Sequence, residues 1–376
     1  DPTKHGSRDV FGEVYEYFLG QFAMNEGAKA GEFYTPKNVV NLLVEILAPF
    51  KGKIYDPACG SGGMFVQSAK FKDAHQQTLG KRGDLAIYGQ EMMAQTRRLC
   101  LMNLAVHGLD GDLGKTYGST FSNDQHKDLR ADYILANPPF NISEWGGDKL
   151  KADPRWVYGT PPASNANFAW LQHMLARLSG RGRAGIVLAN GSMSSQQSGE
   201  GEIRRAMVQA DVVECMIALP GQLFSNTQIS VCLWFLSKDK GIGVNGKVDR
   251  RGQVLFIDAH KAASGRVSRK QIEFTEEDLH RLSQTYHRWR DTEFSDGGTY
   301  ADEPGFCYAA SMADIEKHGF VLTPGRYIGV TVEDDDDETF IEKMERLTAQ
   351  LSEQMAKGTT LDAAIREKLG ALGYGV

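Results

Sequence analysis

Cysteine is scarce in this chain, five in 376 residues, and its placement is as uninformative as its number is small. Cys59, Cys100, Cys215, Cys232 and Cys307 form no Cys-x-x-Cys pair and sit in no His/Cys cluster, so neither a metal centre nor a disulfide scaffold is supported. A signal peptide and any long apolar run are also missing, which leaves nothing to span a membrane; a cytoplasmic location is expected. Internal repeats are absent. Positive charge is in deficit, with 42 Lys and Arg against 48 Asp and Glu and a net charge of −6. A nucleic-acid duplex is gripped largely by cations that neutralise its phosphates. A chain of this balance grips one strongly only if its positive charge is gathered on one face or a partner supplies the rest.

Two stretches carry chemistry. The run Ala131-Asp132-Tyr133-Ile134-Leu135-Ala136 reads as a buried strand, stopped by Asn137-Pro138-Pro139-Phe140. A strand ending in a proline-locked loop presents the Asn137 amide oxygen and the Pro138 carbonyl at a fixed angle, as two acceptors for an exocyclic amine. Phe140 offers a flat face for a planar base. An ordinary turn capped by Asn137 is the alternative reading of the same residues. Upstream, Asp56-Pro57-Ala58-Cys59-Gly60-Ser61-Gly62-Gly63 reads as a strand end, a glycine-rich turn and a helix start. Its glycines let a ligand lie against the turn and the helix N-terminus. The dinucleotide fingerprint G-x-G-x-x-G is excluded, because its third glycine falls at Phe65. A second strand, Ala86-Ile87-Tyr88-Gly89, closes on Gln90-Glu91, an acid placed to take ribose hydroxyls.

In this order the motifs resemble the S-adenosylmethionine-dependent amino-methyltransferases of DNA. More closely they resemble the modification subunit of type I restriction–modification systems, an adenine-N6 methyltransferase. Gly31-Glu32-Phe33-Tyr34-Thr35-Pro36 is similar to that family's motif ahead of the glycine turn, and 167–174, 182–188 and 219–230 to its later motifs. The resemblance implies S-adenosylmethionine as cofactor, held by Phe33, Tyr34, Thr35, Asp56, Cys59, Gly60, Ser61, Gly62, Gly63, Glu91, Ser119 and Asn137. It implies Asn137, Pro138, Pro139 and Phe140 as the catalytic loop acting on an adenine flipped from duplex DNA. Ser119 stands where the family normally carries an acid that holds the cofactor's adenine, and Asp112 is a possible substitute for it.

The expected fold is α/β, a Rossmann-like methyltransferase sheet with helices on both faces. Its core strands are expected at 53–56, 85–89 and 132–136, with helices at 63–72 and 92–107. Helix 167–179, strand 184–189 and helix 200–209 continue it. Three late strands, around 212–219, 228–236 and 253–258, suit an antiparallel hairpin at one sheet edge. Residues 1–30 read as a helical remnant of a domain the family carries ahead of this point, 31–330 as the catalytic domain, and 331–376 as a helical extension. In the extension Phe340, Met344, Leu347, Leu351 and Met355 form a coiled-coil-like stripe after the acidic spacer Glu333–Asp337. The stripe packs back on its own chain or on a partner's helices. The loop 141–166, with Trp145, Trp156 and Tyr158, is expected to form a target-base or partner surface. The stretch 261–270 carries Lys261, Arg266, Arg269 and Lys270, a solvated face or a contact for DNA or a partner.

The resemblance further implies partners: a specificity subunit that reads the DNA sequence, a second copy of this chain held through it, and a nuclease and translocase restriction subunit as a further member. Methylation of another planar amine or amide, in RNA or on protein glutamine, is the competing activity. A cofactor-binding subunit without catalysis is the competing role.

Overall fold

The computed structural model describes residues 35–80, 83–224, 230–267, 271–329 and 340–371, together with Gly12, Val14, Tyr15 and Phe18, the last four all helical. Phe33, Tyr34, Arg269, Lys270 and the acidic spacer lie outside the described residues. The chain divides into two compact units, Asp1–Gly329 and Val330–Val376.

The first unit is built on a nine-stranded sheet among the described residues. Its strands in chain order are β1 (Gly52–Asp56), β2 (Leu85–Gly89), β3 (Gly111–Asp112), β4 (Ala131–Ala136), β5 (Leu178–Ala189), β6 (Val213–Ala218), β7 (Val231–Ser237), β8 (Gln253–Asp258) and β11 (Cys307–Ser311), with β9 (Gly265–Arg266) and β10 (Ile272–Glu273) forming a separate hairpin. The spatial order is β11-β8-β6-β7-β5-β4-β1-β2-β3. β1 pairs in parallel with β2 on one side and β4 on the other, and β4 in parallel with β5. β6 and β7 are buried along their whole length, which explains their near-continuous apolar sequence.

The first two late strands form the expected antiparallel pair, β6 with β7, but that pair is not at the sheet edge. β7 is antiparallel to both β5 and β6 and lies inside the sheet, with β8 parallel to β6 and β11 antiparallel to β8 beyond it. The near-continuous apolar run of β7 fits a strand covered on both faces, and pairing with β5 and β6 covers both of its edges.

The helices are α1 (Lys37–Leu47), α2 (Gly63–Leu79), α3 (Ala94–Val106), α4 (Asn167–Arg177), α5 (Glu200–Gln209), α6 (Glu276–Arg290) and α7 (Met312–Lys317). α1 starts at Pro36, whose fixed φ suits a helix entry, and buries seven of its residues. It packs on α6, from which His287 Nε2 donates to the Glu45 carbonyl, 2.7 Å away. Arg183 of β5 donates to the Leu47 carbonyl at 2.5 Å. α6 itself begins with a reciprocal cap between Thr275 and Asp278 and is buried through Tyr286, Trp289 and Arg290. The second unit carries α8 (Phe340–Ala371), on which Met344, Leu351, Met355, Leu361 and Ile365 are exposed.

Candidate functional site

β1 and β4 are neighbours, but the chain leaves β1 toward β2 and leaves β4 toward β5. Their C-terminal ends therefore open a crevice at the point where the strand order reverses, the usual ligand position in such sheets. The glycine turn after β1 and the Asn137 loop after β4 stand on its two sides.

The Asn137 loop is held from several directions. Asn137 Nδ2 donates to Thr35 Oγ1 at 2.7 Å, a bond spanning 102 residues. Asn137 Oδ1 is buried and has no hydrogen-bond partner among the described residues. Trp170 Nε1 donates to the Pro139 carbonyl at 3.3 Å. Asn141 adopts a left-handed backbone (φ +59°), which its short polar side chain tolerates. Its N–H donates to Asn167 Oδ1 and its Oδ1 accepts from Asn167 Nδ2, both at 2.9 Å. Phe140 is 7 % exposed and belongs to the core, so its ring does not offer the open stacking face its sequence position suggests. A base can stack on it only after the cover shifts.

Across the crevice, Gly60 (φ +54°) and Gly62 (φ +82°) turn the chain into α2. A side chain at Gly60 or Gly63 would meet nothing within 4 Å, whereas one at Gly62 would strike Cys100 Sγ at 2.8 Å. The turn thus packs on α3 with one side and leaves open space at the other. Glu91, 8 % exposed, braces it: Oε2 accepts from the Gly60 N–H at 3.0 Å and Oε1 from the Met93 N–H at 2.8 Å. Asn103 Nδ2 holds the Ser61 carbonyl at 2.8 Å. Cys59 is a buried thiol pushed well above its usual range by its bond to Cys100 and by burial. Asp56 is 2 % exposed and accepts the Ala58 N–H at 2.9 Å. Burial lifts its carboxyl to about 8, with the Ala58 bond opposing and the charge of Glu91 adding. No cationic group among the described residues contributes to that shift, so a positively charged ligand would favour the ionised form. The carboxylates, the backbone turn and the open space fit an S-adenosylmethionine-type ligand with its ammonium, sulfonium and ribose hydroxyls.

Ser119 lies at the same sheet end, since the Gly118 N–H donates to the Glu91 carbonyl at 2.9 Å. Its Oγ accepts from the N–H groups of Phe121 and Ser122 at 3.3 and 3.5 Å. Its hydroxyl proton is what remains for a ligand, so it would donate where an acid would accept. Asp112 is exposed on the outermost strand, where Oδ1 accepts the Gly114 N–H at 2.9 Å.

Several anchors of this site were assigned no role by the sequence. Gln90 is fully buried, donates to the Gly118 and Asn123 carbonyls at 3.1 and 2.8 Å, and accepts from Gln125 at 3.1 Å. Arg155, from the long loop, donates to the Thr120 and Phe121 carbonyls at 3.1 and 2.6 Å and to Asp153 at 2.7–2.8 Å. It also donates to Nδ1 of His173, a histidine that burial keeps neutral, at about 3. The loop 141–166 is accordingly pinned rather than lid-like. Trp145 and Trp156, expected at a base or partner surface, are 5 % and 8 % exposed and pack around Phe121. Phe121 in turn meets α4, its ring centroid 4.2 Å from that of Trp170. Only spacing of aromatics against the apolar face of 167–177 could have signalled that.

Residues 6–336 match the model of the N-6 DNA methylase family. The HindI type I restriction enzyme methylase subunit of Haemophilus influenzae is 49 % identical over all of this chain and 81 % of its own length. The MjaIX type I methylase subunit of Methanocaldococcus jannaschii is 38 % identical over 99 % of this chain, which spans 64 % of that relative. Among solved structures, the type I restriction–modification methyltransferase subunit from Streptococcus thermophilus superposes with a TM-score of 0.71 at 28 % identity, covering 86 % of this chain and 64 % of that one. With a glycine turn, a bracing acid and an Asn-Pro-Pro-Phe loop meeting at one crevice, the chain belongs to the N-6 DNA methylase family, the adenine-specific DNA methyltransferases of which type I modification subunits are members.

Proposed function

We propose that the protein transfers a methyl group from S-adenosylmethionine to the N6 amine of an adenine flipped out of duplex DNA, as the modification subunit of a multi-subunit type I restriction–modification complex. The observation that carries this reading is the buried, unpartnered Asn137 Oδ1 at the crevice mouth. A buried acceptor left unsatisfied costs free energy unless a ligand completes it. An exocyclic amine fits that vacancy, with the Pro138 carbonyl taking its second hydrogen. The bound cofactor supplies an electrophilic methyl on a sulfonium, so the chain need supply no covalent intermediate. Asn137 and Pro138 draw the amine's hydrogens out of the ring plane and aim its lone pair. Their oxygen dipoles favour the positive charge that develops on nitrogen, and fixed alignment contributes much of the rate. Asp56 and the 60–63 turn hold the cofactor's amino-acid end, and Glu91 the ribose, through the turn it braces. Ser119 lies at the cofactor's adenine.

The partner reading rests on charge and on α8. Net negative charge leaves phosphate contacts and base readout to a specificity subunit, and the exposed Met344, Leu351 and Met355 suit its helices. Two copies of the chain would serve the two halves of a split site, with a restriction subunit as a further member. Lys261 and Arg266, at the end of β8 and on the β9–β10 hairpin, are candidates for DNA contact. Among the described residues no helix is long and apolar enough to cross a membrane, and action on DNA places the complex in the cytoplasm. Tritium transfer from labelled S-adenosylmethionine tests the activity. Label in duplex DNA containing the target site, and only with the specificity subunit present, is the expected result. Label in RNA or protein instead would replace the reading, and no transfer to any of the three would reduce the chain to a binding subunit.

A further inference from the structure

A primary amide has two ends of similar shape and opposite function. Asn137 can accept from an incoming amine only if Oδ1, not Nδ2, faces the crevice; the reversed amide would set donor against donor. Something must therefore hold the productive orientation. Nδ2 donates to Thr35 Oγ1 at 2.7 Å, and Oδ1 is buried without a partner among the described residues. The threonine hydroxyl could donate as readily as accept, so it anchors this orientation and the incoming amine, which offers only hydrogens to Oδ1, completes it.

Thr35 is well mounted for that task. It precedes Pro36, whose carbonyl accepts the Val39 and Val40 N–H groups in the first turn of α1. α1 is buried against the sheet and fixed at its far end by Arg183 and His287. Asn137, on the other side, precedes Pro138 and ends a buried strand, which narrows its backbone choices. Two rigid elements thus meet through one hydroxyl.

We infer that Thr35 is a positioning residue for methyl transfer: its hydroxyl oxygen holds the Asn137 amide with the acceptor turned to the target amine. This rests on the reading of Asn137 as the N6 acceptor and assigns to Thr35 a role distinct from holding the cofactor.

The test uses the full chain with its specificity subunit and three variants. Thr35→Val keeps the shape and removes the acceptor, Thr35→Ser restores it, and Asn137→Ala removes the acceptor of the amine. Thr35→Val should lower the single-turnover methylation rate at saturating cofactor about ten-fold or more, the effect of one buried hydrogen bond. S-adenosylmethionine affinity by calorimetry should stay within about two-fold, and Thr35→Ser should recover most of the rate. A duplex with 2-aminopurine at the target position has no N6 amine, so its fluorescence reports flipping without the Asn137 contact. That signal should be unchanged in Thr35→Val, which a folding defect would not allow. Unaltered rate in Thr35→Val, a loss confined to cofactor affinity, or failure of Thr35→Ser to recover the rate would each overturn the inference. An active Asn137→Ala would instead overturn the reading of Asn137 beneath it.

Discussion

Asp56 makes cofactor binding a proton-coupled event, and the size of the coupling follows from its surroundings. The cofactor-free carboxyl titrates at about 8 because it is buried beside Glu91, so about nine-tenths of the molecules carry a proton there at pH 7. A cationic ligand against Asp56 requires the ionised form, and binding must expel that proton. Calorimetry in buffers of different ionisation enthalpy should therefore find about 0.7–0.8 proton released at pH 7, once the small uptake by the ligand's amino group is counted. Apparent affinity should rise about eight-fold from pH 6 to pH 7, a range in which the ligand's own α-amino group, of pKa ~7.7–8.0 in the free state, stays mostly charged. Asp56→Asn should flatten the profile and weaken binding by about ten-fold or more at pH 7. The same group acts on stability with the opposite reward. Because its folded pKa lies above the unfolded value, the native state holds a proton that the unfolded chain has lost. The cofactor-free protein therefore loses stability from Asp56 as pH rises from about 4 to about 8, and Asp56→Asn should remove that slope. Binding that releases no proton and is level across pH 6–7 would refute the assignment of Asp56 to a cationic group.

Asn137→Ala should lower methyl transfer by about 10²–10³-fold or more while cofactor affinity by calorimetry stays near that of the parent. Arg155→Ala strands Asp153 and two loop carbonyls in a buried setting, and should cost about 3–5 kcal/mol in urea unfolding. It should also weaken cofactor binding, since the Ser119 loop loses its anchor. A chain ending at Asp337 should still fold and bind S-adenosylmethionine, because residues up to Gly329 form their own compact unit. Gel filtration with the specificity subunit should show that this shortened chain no longer joins the complex.

The central strands were legible because burial on both faces forces apolar runs: β2 and β8 fall on their expected bounds, and β1 and β4 within one residue. The position of β7 was not legible, since an apolar run states that a strand is covered without stating by which neighbours. Motif residues such as Gly60, Glu91 and Asn137 announce themselves because chemistry restricts their type. Arg155 does not, and the bracing roles of Gln90 and Asn167 within their motifs do not either, because each works through partners tens of residues away that only the fold brings near. Trp145 and Trp156 show the reverse error: large aromatics in a polar loop resemble a binding surface until their burial is known.

The contact between α1 and α6 sets a schedule for making this protein. The carbonyl of Glu45 meets His287, 242 residues later, a stretch that takes roughly 12–50 s to synthesise. Until α6 emerges, the outer face of α1 has no cover, and the platform under Thr35 is incomplete. A nascent or prematurely terminated chain can carry both the glycine turn and the Asn-Pro-Pro-Phe loop and still lack a finished crevice. Completion of the crevice would then wait until α6 is in place.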